Sequence, residues 1–205
     1  VSDTLSTTWR RSGAFAGLMT PGRHGDTSGA PGIRIVPREP ASVLSLIAAR
    51  GAQDDAARLI GEKVGLAPPA RPAAALEHGA ALVWSGPGQW LLVSDEPVPA
   101  AGLAAALGPA VAVVDQGHSR AILRLSGPKA RAALARGCML DLHPRAFRAG
   151  SAASTVIGHI ATQIWQVDDA PAYDLSVYRS LAGSFWHWLA GASAEFGCEV
   201  APPSS

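Results

Sequence analysis

Asp115, Gln116, His118 and Arg120 form the densest group of side chains in this sequence that could do polar chemistry. A carboxylate, an amide, an imidazole and a guanidinium so close together could line a shared pocket and hold or move a proton. The same stretch also contains Gly117 and Ser119, and Asp, Gly and Ser are turn formers, so it reads equally as a satisfied turn, the stronger of the two readings. The other histidines, His24, His78, His143, His159 and His187, are scattered. None makes an H-x-x-x-H or H-E-x-x-H spacing, so no metal site is expected. Gly86-Pro87-Gly88 lacks a following lysine and reads as a hairpin turn rather than a phosphate loop. There is no G-x-G-x-x-G dinucleotide fingerprint and no G-x-S-x-G nucleophile elbow.

The elements that would position such residues follow from periodicity. Ile33–Val36 and Ser42–Ile47 read as strands, and a helix opens at Gly51 with acids Asp54 and Asp55 in its first turn, ending near Gly65. Ala81–Trp84 and Gln89–Ser94 flank Ser85-Gly86-Pro87-Gly88 as a hairpin, followed by a short helix from Ala100 to Leu107. The second half repeats this order. Val111–Asp115 and Arg120–Leu125 are strands, a helix starts at Ser126-Gly127-Pro128 and runs to Gly137, and Thr155–Trp165 and Tyr173–Tyr178 form a strand pair. The last helix opens with Ser180 as N-cap and carries Leu181, Phe185, Trp188, Leu189, Ala192 and Phe196 at helical spacing. Trp186 lies off that stripe, so the helix is apolar on more than one side and suits either deep burial or contact with another chain.

Strand-strand-helix-strand-strand-helix, twice, implies an α+β domain with antiparallel sheets and pseudo-twofold symmetry. We expect one duplicated domain over residues 31–198, with halves of about 31–109 and 110–198, because each half alone is too small for a good core. Residues 1–30, rich in glycine and with Phe15, Leu18 and Met19 to bury, read as an extended arm, and 199–205 as a tail. Phe15, Leu18, Met19 and Trp186 are the nominated subunit-interface residues.

Hydrophobic residues make up 48% and charged residues 16% of the chain, against about a quarter charged in average proteins. A surface with so few charges fits a chain partly covered by a partner, as well as an alanine-rich composition. A net charge of +1 gives no electrostatic reason to expect nucleic acid or an acidic membrane. Cys138 and Cys198 read as buried free thiols in a reducing compartment. No apolar run reaches the ~18–20 residues of a membrane span. Arg10-Arg11 precedes a stretch too short and glycine-interrupted for a signal, so a cytoplasmic location is expected.

Four stretches together resemble one family: Trp84–Leu92, Val114–Arg120, Leu125–Pro128 with the helix behind it, and Arg179–Leu189. They are similar to the gamma subunit of heterotetrameric sarcosine oxidase and its relatives in N-methyl amino-acid oxidising complexes, over roughly residues 31–198. The resemblance implies a fold related to the folate-binding aminomethyltransferase, the glycine cleavage T-protein. It also implies a complex in which alpha and beta chains carry FAD, FMN and NAD, a small delta chain binds zinc, and the one-carbon unit passes to tetrahydrofolate in the alpha chain. In that family the gamma chain packs against alpha and supplies no catalytic group, so no cofactor is expected here. The alternatives are an autonomous folate-binding one-carbon transferase, for which Asp115 and Arg179 are the only nominees, and an assembly factor.

Overall fold

A computed structural model of the chain describes residues 12–77 and 79–204. It contains two sheets packed face to face with helices on their outer sides. The first sheet has the order β4-β5-β6-β3-β7, and the second β1-β12-β2-β8-β11-β10-β9. Their strands are β1 (Gly22–His24), β2 (Ile33–Arg38), β3 (Ser42–Ala48), β4 (Ala74–Glu77), β5 (Ala80–Gly86), β6 (Gln89–Ser94), β7 (Val111–Asp115), β8 (Arg120–Ser126), β9 (Ala152–Ile157), β10 (Ile160–Asp168), β11 (Ala172–Tyr178) and β12 (Cys198–Val200). Helices α1 (Gln53–Val64) and α2 (Ala100–Leu107) cover the first sheet, and α3 (Ala130–Leu134) and α4 (Ala182–Ser193) the second. The fold is mixed α+β with antiparallel sheets, apart from the parallel pair β12–β2. No helix among the described residues is long and apolar enough to cross a membrane.

Alternation along each strand builds three apolar layers. Leu44, Leu46, Leu82 and Leu92 meet Ala56 and Ile60 of α1 and Leu103 and Leu107 of α2 on one outer face. On the other outer face Leu123, Leu125, Ile164, Leu175 and Val177 meet Ala133, Leu134, Phe185 and Leu189. The intervening positions, among them Val43, Val83, Leu91, Val93, Ile122 and Trp165, pack sheet against sheet. A fully buried Leu or Phe stabilises by ~1.5–3 kcal/mol relative to exposure, so the strand period alone fixes which face each sheet must hide.

The connectivity repeats, with an exchange. Consecutive strands β2 and β3 fall in different sheets, as do β7 and β8. The order β4-β5-β6-β3 is completed by β7 of the second half, and β9-β10-β11-β8 by β2 of the first. Each half therefore holds three strands between its helices, where the sequence pattern suggested two. β4 (AALE) has a composition that does not favour strands. The predicted Thr155–Trp165 strand is two strands, β9 and β10, joined by the two-residue turn Gly158-His159. Both turn residues have positive φ, 56° and 67°, as type I′ hairpins require.

Four further expectations shift. Ser180 is not a cap: Arg179–Leu181 form a 3₁₀ turn and α4 begins at Ala182 with no side-chain capping bond. Pro128 lies in the turn before α3 rather than in its first position. The described part of the arm, from Ser12, returns to its own chain. Phe15 and Met19 are buried in the core under α4, and β1 pairs with β12. Of the tail, Glu199 and Val200 belong to β12 and Ser204 bridges Arg38. Residues 1–11, with Arg10-Arg11, as well as His78 and Ser205, lie outside the described residues.

Gly158 has a second constraint besides its φ. A Cβ there would stand 2.5 Å from the Trp188 ring, which lies across the β9–β10 turn. Gly158→Ala should therefore lower stability by ~1–3 kcal/mol from backbone strain. It should also displace Trp188, which near-ultraviolet circular dichroism and denaturant unfolding would report together.

Candidate functional site

The layer between the sheets is where polar side chains gather. Its apolar centre is flanked by two clefts, each made by strands of both sheets. In the first, Arg38 ends β2, Arg124 lies in β8, Asp174 in β11, and Asp95 follows β6. Asp174 is 1% exposed. Its Oδ1 accepts from Arg124 Nε at 2.7 Å, and its Oδ2 accepts from Arg124 Nη2 at 2.8 Å and Arg38 Nη1 at 2.9 Å. Arg38 also pairs with Asp95 of the other sheet. The hydrogen bonds to Asp174 raise the pKa of Arg124, against the opposing effect of burial.

This cleft has a volume of about 310 Å³ and is also lined by Leu76, Glu77 and Trp165. Asp174 receives three charge-assisted bonds, which are the strong ones. Arginine cannot act as a proton acceptor. Arg38, Arg124, Asp95 and Asp174 thus form one ion-pair network, in which the Arg38–Asp95 pair links the two sheets.

The second cleft, about 290 Å³, is lined by Ser45 and Ile47 of β3, Ser85 of β5, Thr155 of β9, Gln163 of β10, Arg120 and Tyr178. Gln163 Nε2 donates to the carbonyl of Trp84 at 3.0 Å and to Ser85 Oγ at 2.9 Å, tying the second sheet to the first. The Arg120 guanidinium stacks over the Tyr178 ring at 4.4 Å, and its Nε is buried without a partner among the described residues. Among the described residues, no carboxylate, histidine or thiol lines this cleft to serve its hydroxyls as an adjacent base. It is chemically suited to holding a polar group.

Of the residues nominated from sequence, Arg120 and Arg179 line one small cavity, beside Gly117, and Asp115 lies outside it. Asp115 Oδ1 accepts the Gly117 N–H at 2.7 Å and Ser119 N–H donates to the Gln116 carbonyl, so the stretch from Asp115 to Arg120 is a turn, from which Arg120 reaches the second cleft. Arg179 donates through Nη2 to the Ser12 carbonyl at 2.8 Å and so tethers the arm. Asp115 and Arg179 line no common cavity among those described.

Of the nominated interface residues, Phe15 and Met19 are buried within their own chain. Leu18 is 44% exposed and lies against Gly183 of α4. Trp186 is half-buried, with the His24 ring edge-on at 6.3 Å. His143 Nδ1 accepts from Arg145 N–H within a turn, and no metal-holding group of His, Cys, Asp or Glu occurs among the described residues. Cys138 and Cys198 are free and buried, and burial pushes both thiols up in pKa.

The Arg38–Asp174–Arg124–Asp95 network escapes sequence reading because Arg38 and Asp174 stand 136 positions apart. The available signal was Arg124 and Asp174, each a charge flanked on both sides by residues of an apolar run within its strand. Removing one partner of a buried ion pair costs ~3–5 kcal/mol because the other charges lose their neutralisation. Asp174→Asn should destabilise the purified chain by about that amount in urea unfolding.

The sequence pattern of the sarcosine oxidase, gamma subunit family matches residues 50–195. The sarcosine oxidase subunit gamma of Arthrobacter sp is 34% identical over 199 residues, spanning 95% of this chain and 96% of that one. The corresponding subunit of Corynebacterium sp. (strain P-1) is 37% identical over 124 residues, 60% of this chain and 61% of its own length. Among solved structures, a chain of the heterotetrameric sarcosine oxidase from Corynebacterium sp. U-96, in complex with pyrrole 2-carboxylate, aligns with a TM-score of 0.77 and 26% identity, covering 91% of this chain and 96% of that one. The glycine cleavage system aminomethyltransferase T from Bartonella henselae shares the fold, with a TM-score of 0.59 at 12% identity over 84% of this chain and 48% of its own.

Proposed function

The chain belongs to the sarcosine oxidase gamma subunit family, and we propose that it is the non-catalytic, structural gamma chain of a heterotetrameric flavoenzyme. As a sarcosine oxidase subunit it is part of an oxidoreductase complex. The proposal goes further. Alpha, beta and delta chains would carry FAD, FMN, NAD and zinc, oxidise an N-methyl amine in the cytoplasm, and hand the one-carbon unit to tetrahydrofolate. This chain would buttress the folate-transfer region of the large subunit. One observation carries the reading: nearly the whole chain aligns with nearly the whole of a chain from such a heterotetramer. The inter-sheet chemistry supports it, since both arginines of one cleft are held in ion pairs and no carboxylate, histidine or thiol among the described residues lines the other.

The arm and α4 supply one candidate contact surface. Phe15 and Met19 anchor the arm in the core, leaving Leu18 exposed over Gly183, on the helix that carries Trp186. We assign Leu18 and Trp186 to the interface, with Phe15 and Met19 holding the arm in place beneath it.

Co-expression with the neighbouring subunits should yield this chain at equal stoichiometry in a flavin-containing complex. Recovery as a stable monomer with no affinity for a flavoprotein subunit would overturn the reading. Micromolar binding of tetrahydrofolate to the isolated chain would favour an autonomous transferase, and transient rather than stoichiometric association would favour an assembly factor. Trp186→Asp should reduce recovery in the complex more than it lowers the melting temperature of the chain. A collapse of the melting temperature would instead make Trp186 a core residue.

A further inference from the structure

The two sheets have four edges, and they are guarded unequally. β1 is three residues long and holds Gly22 and Arg23. β9 is met by isolated bridges at both ends, Ser151 to Ala73 and Ile157 to Cys138. β4, also short, carries Glu77 and is flanked by the same Ala73 bridge. The fourth edge, β7, reads Val-Ala-Val-Val-Asp and has no lysine, proline or bulge within it. Natural edges are usually blunted by such devices because an open, apolar strand is a template for pairing.

Hydrogen-bond parity shows what β7 offers. Gln116 N–H donates to the Val43 carbonyl and Ala49 N–H to the Ala110 carbonyl. With the register Ser45↔Val114 and Ile47↔Ala112, the even-numbered residues of β7 bond to β3. Val113 and Asp115 therefore turn their backbone N–H and C=O groups outward, where no described strand receives them, while the Val111 N–H is taken by the Gly108 carbonyl. On the inner face beside this edge, Val114 is 44% and Ile47 37% exposed.

The strand that occupies the corresponding place in the other sheet is β2, and its edge is covered: β12 lies alongside it in parallel, Cys198↔Ile33 to Val200↔Ile35. The same place beside β7 has no strand of this chain among the described residues. We propose that an extended segment of another subunit of the complex adds to the first sheet along β7. It would take the position that β12 takes on β2 and bring apolar side chains over Val114 and Ile47. The mode is strand addition, in which backbone bonds supply affinity and alternate side chains supply specificity. This inference rests on the gamma-subunit reading, which provides the partner.

Hydrogen exchange of the assembled complex against the free chain tests it. The Val113 and Asp115 amides should exchange at least ~100-fold more slowly in the complex, and the Ala112 and Val114 amides, already bonded to β3, should change less. Val113→Pro removes one outward N–H and leaves the β3 ladder intact, a placement edge strands tolerate. It should cut recovery in the complex, while Val113→Thr restores it. Unchanged exchange at Val113 and Asp115 in an intact complex overturns the inference while leaving the gamma-subunit reading standing. Slowed exchange that grows with concentration in the free chain overturns it in favour of pairing between two copies. If no complex forms with the wild-type chain, the gamma-subunit reading fails, and this inference fails with it. Should Val113→Pro fail to fold, the wild-type exchange measurement still decides.

Discussion

The exchange of strands between sheets governs this molecule. β2 leads directly into β3, yet the first joins one sheet and the second joins the other, and β7 and β8 do the same in the opposite sense. Neither sheet can be completed by one half of the chain. The sheet-facing sides of both must then be buried against each other, because each half contributes a strand to its partner's ladder. Separation into two domains is topologically excluded without breaking the β2–β8 and β3–β7 pairings.

The ion network sits at one of these crossings. Arg38 is the last residue of β2, and the chain passes through Glu39-Pro40-Ala41 into the other sheet. Its guanidinium reaches Asp174 in the sheet it leaves and Asp95 in the sheet the chain enters. The C-terminal segment straps the same point: Ser204 bridges Arg38, and Glu39 N–H donates to the Ser204 carbonyl at 2.7 Å. A hydrophobic replacement could match such a network in stability. What the charges add is direction, since three donors around one carboxylate accept only one relative placement of β2, β8 and β11. The Asp174 bonds therefore fix three strands of one sheet, the Arg38–Asp95 pair ties that sheet to the other, and the apolar centre beside them supplies adhesion without direction.

The parts of this fold legible in sequence were those governed by short-range rules. The acids at the start of α1, the Gly65 cap, the hairpin around Pro87-Gly88 and the limits of α2 all emerge from local patterns. Local rules failed where tertiary context overrode them. β4 is a strand because β5 pairs with it, in spite of its composition. The turn at Gly158-His159 carries no Asn-Gly or Asp-Gly, so β9 and β10 read as one run. The helix at Ser180 has a good capping residue that the fold does not use, since a 3₁₀ turn intervenes. The clefts were illegible for a different reason: Arg38, Asp95, Arg124 and Asp174 come from four separate elements and meet only through the strand exchange. Asp115 and Arg179 drew attention as polar residues near strand ends, and each bonds locally or to the arm.

The multi-sided apolar character of α4 now divides into distinct uses. Phe185 and Leu189 face the second sheet. Trp188 lies over Gly137 and Gly158, a contact possible only because neither position has a side chain. Trp186 meets His24 at the end of β1, and Leu18 rests on Gly183 one turn earlier. Most of what seemed surplus is thus claimed by the chain's own arm, which is why Phe15 and Met19 are interior residues. The arm acts as an added layer, and beside this helix it leaves Leu18 and half of Trp186 exposed, while Met139, Val156, Tyr178 and the β7 edge are exposed elsewhere. The α4 surface and the β7 edge lie on two sheets that the Arg38–Asp95 pair holds to one another.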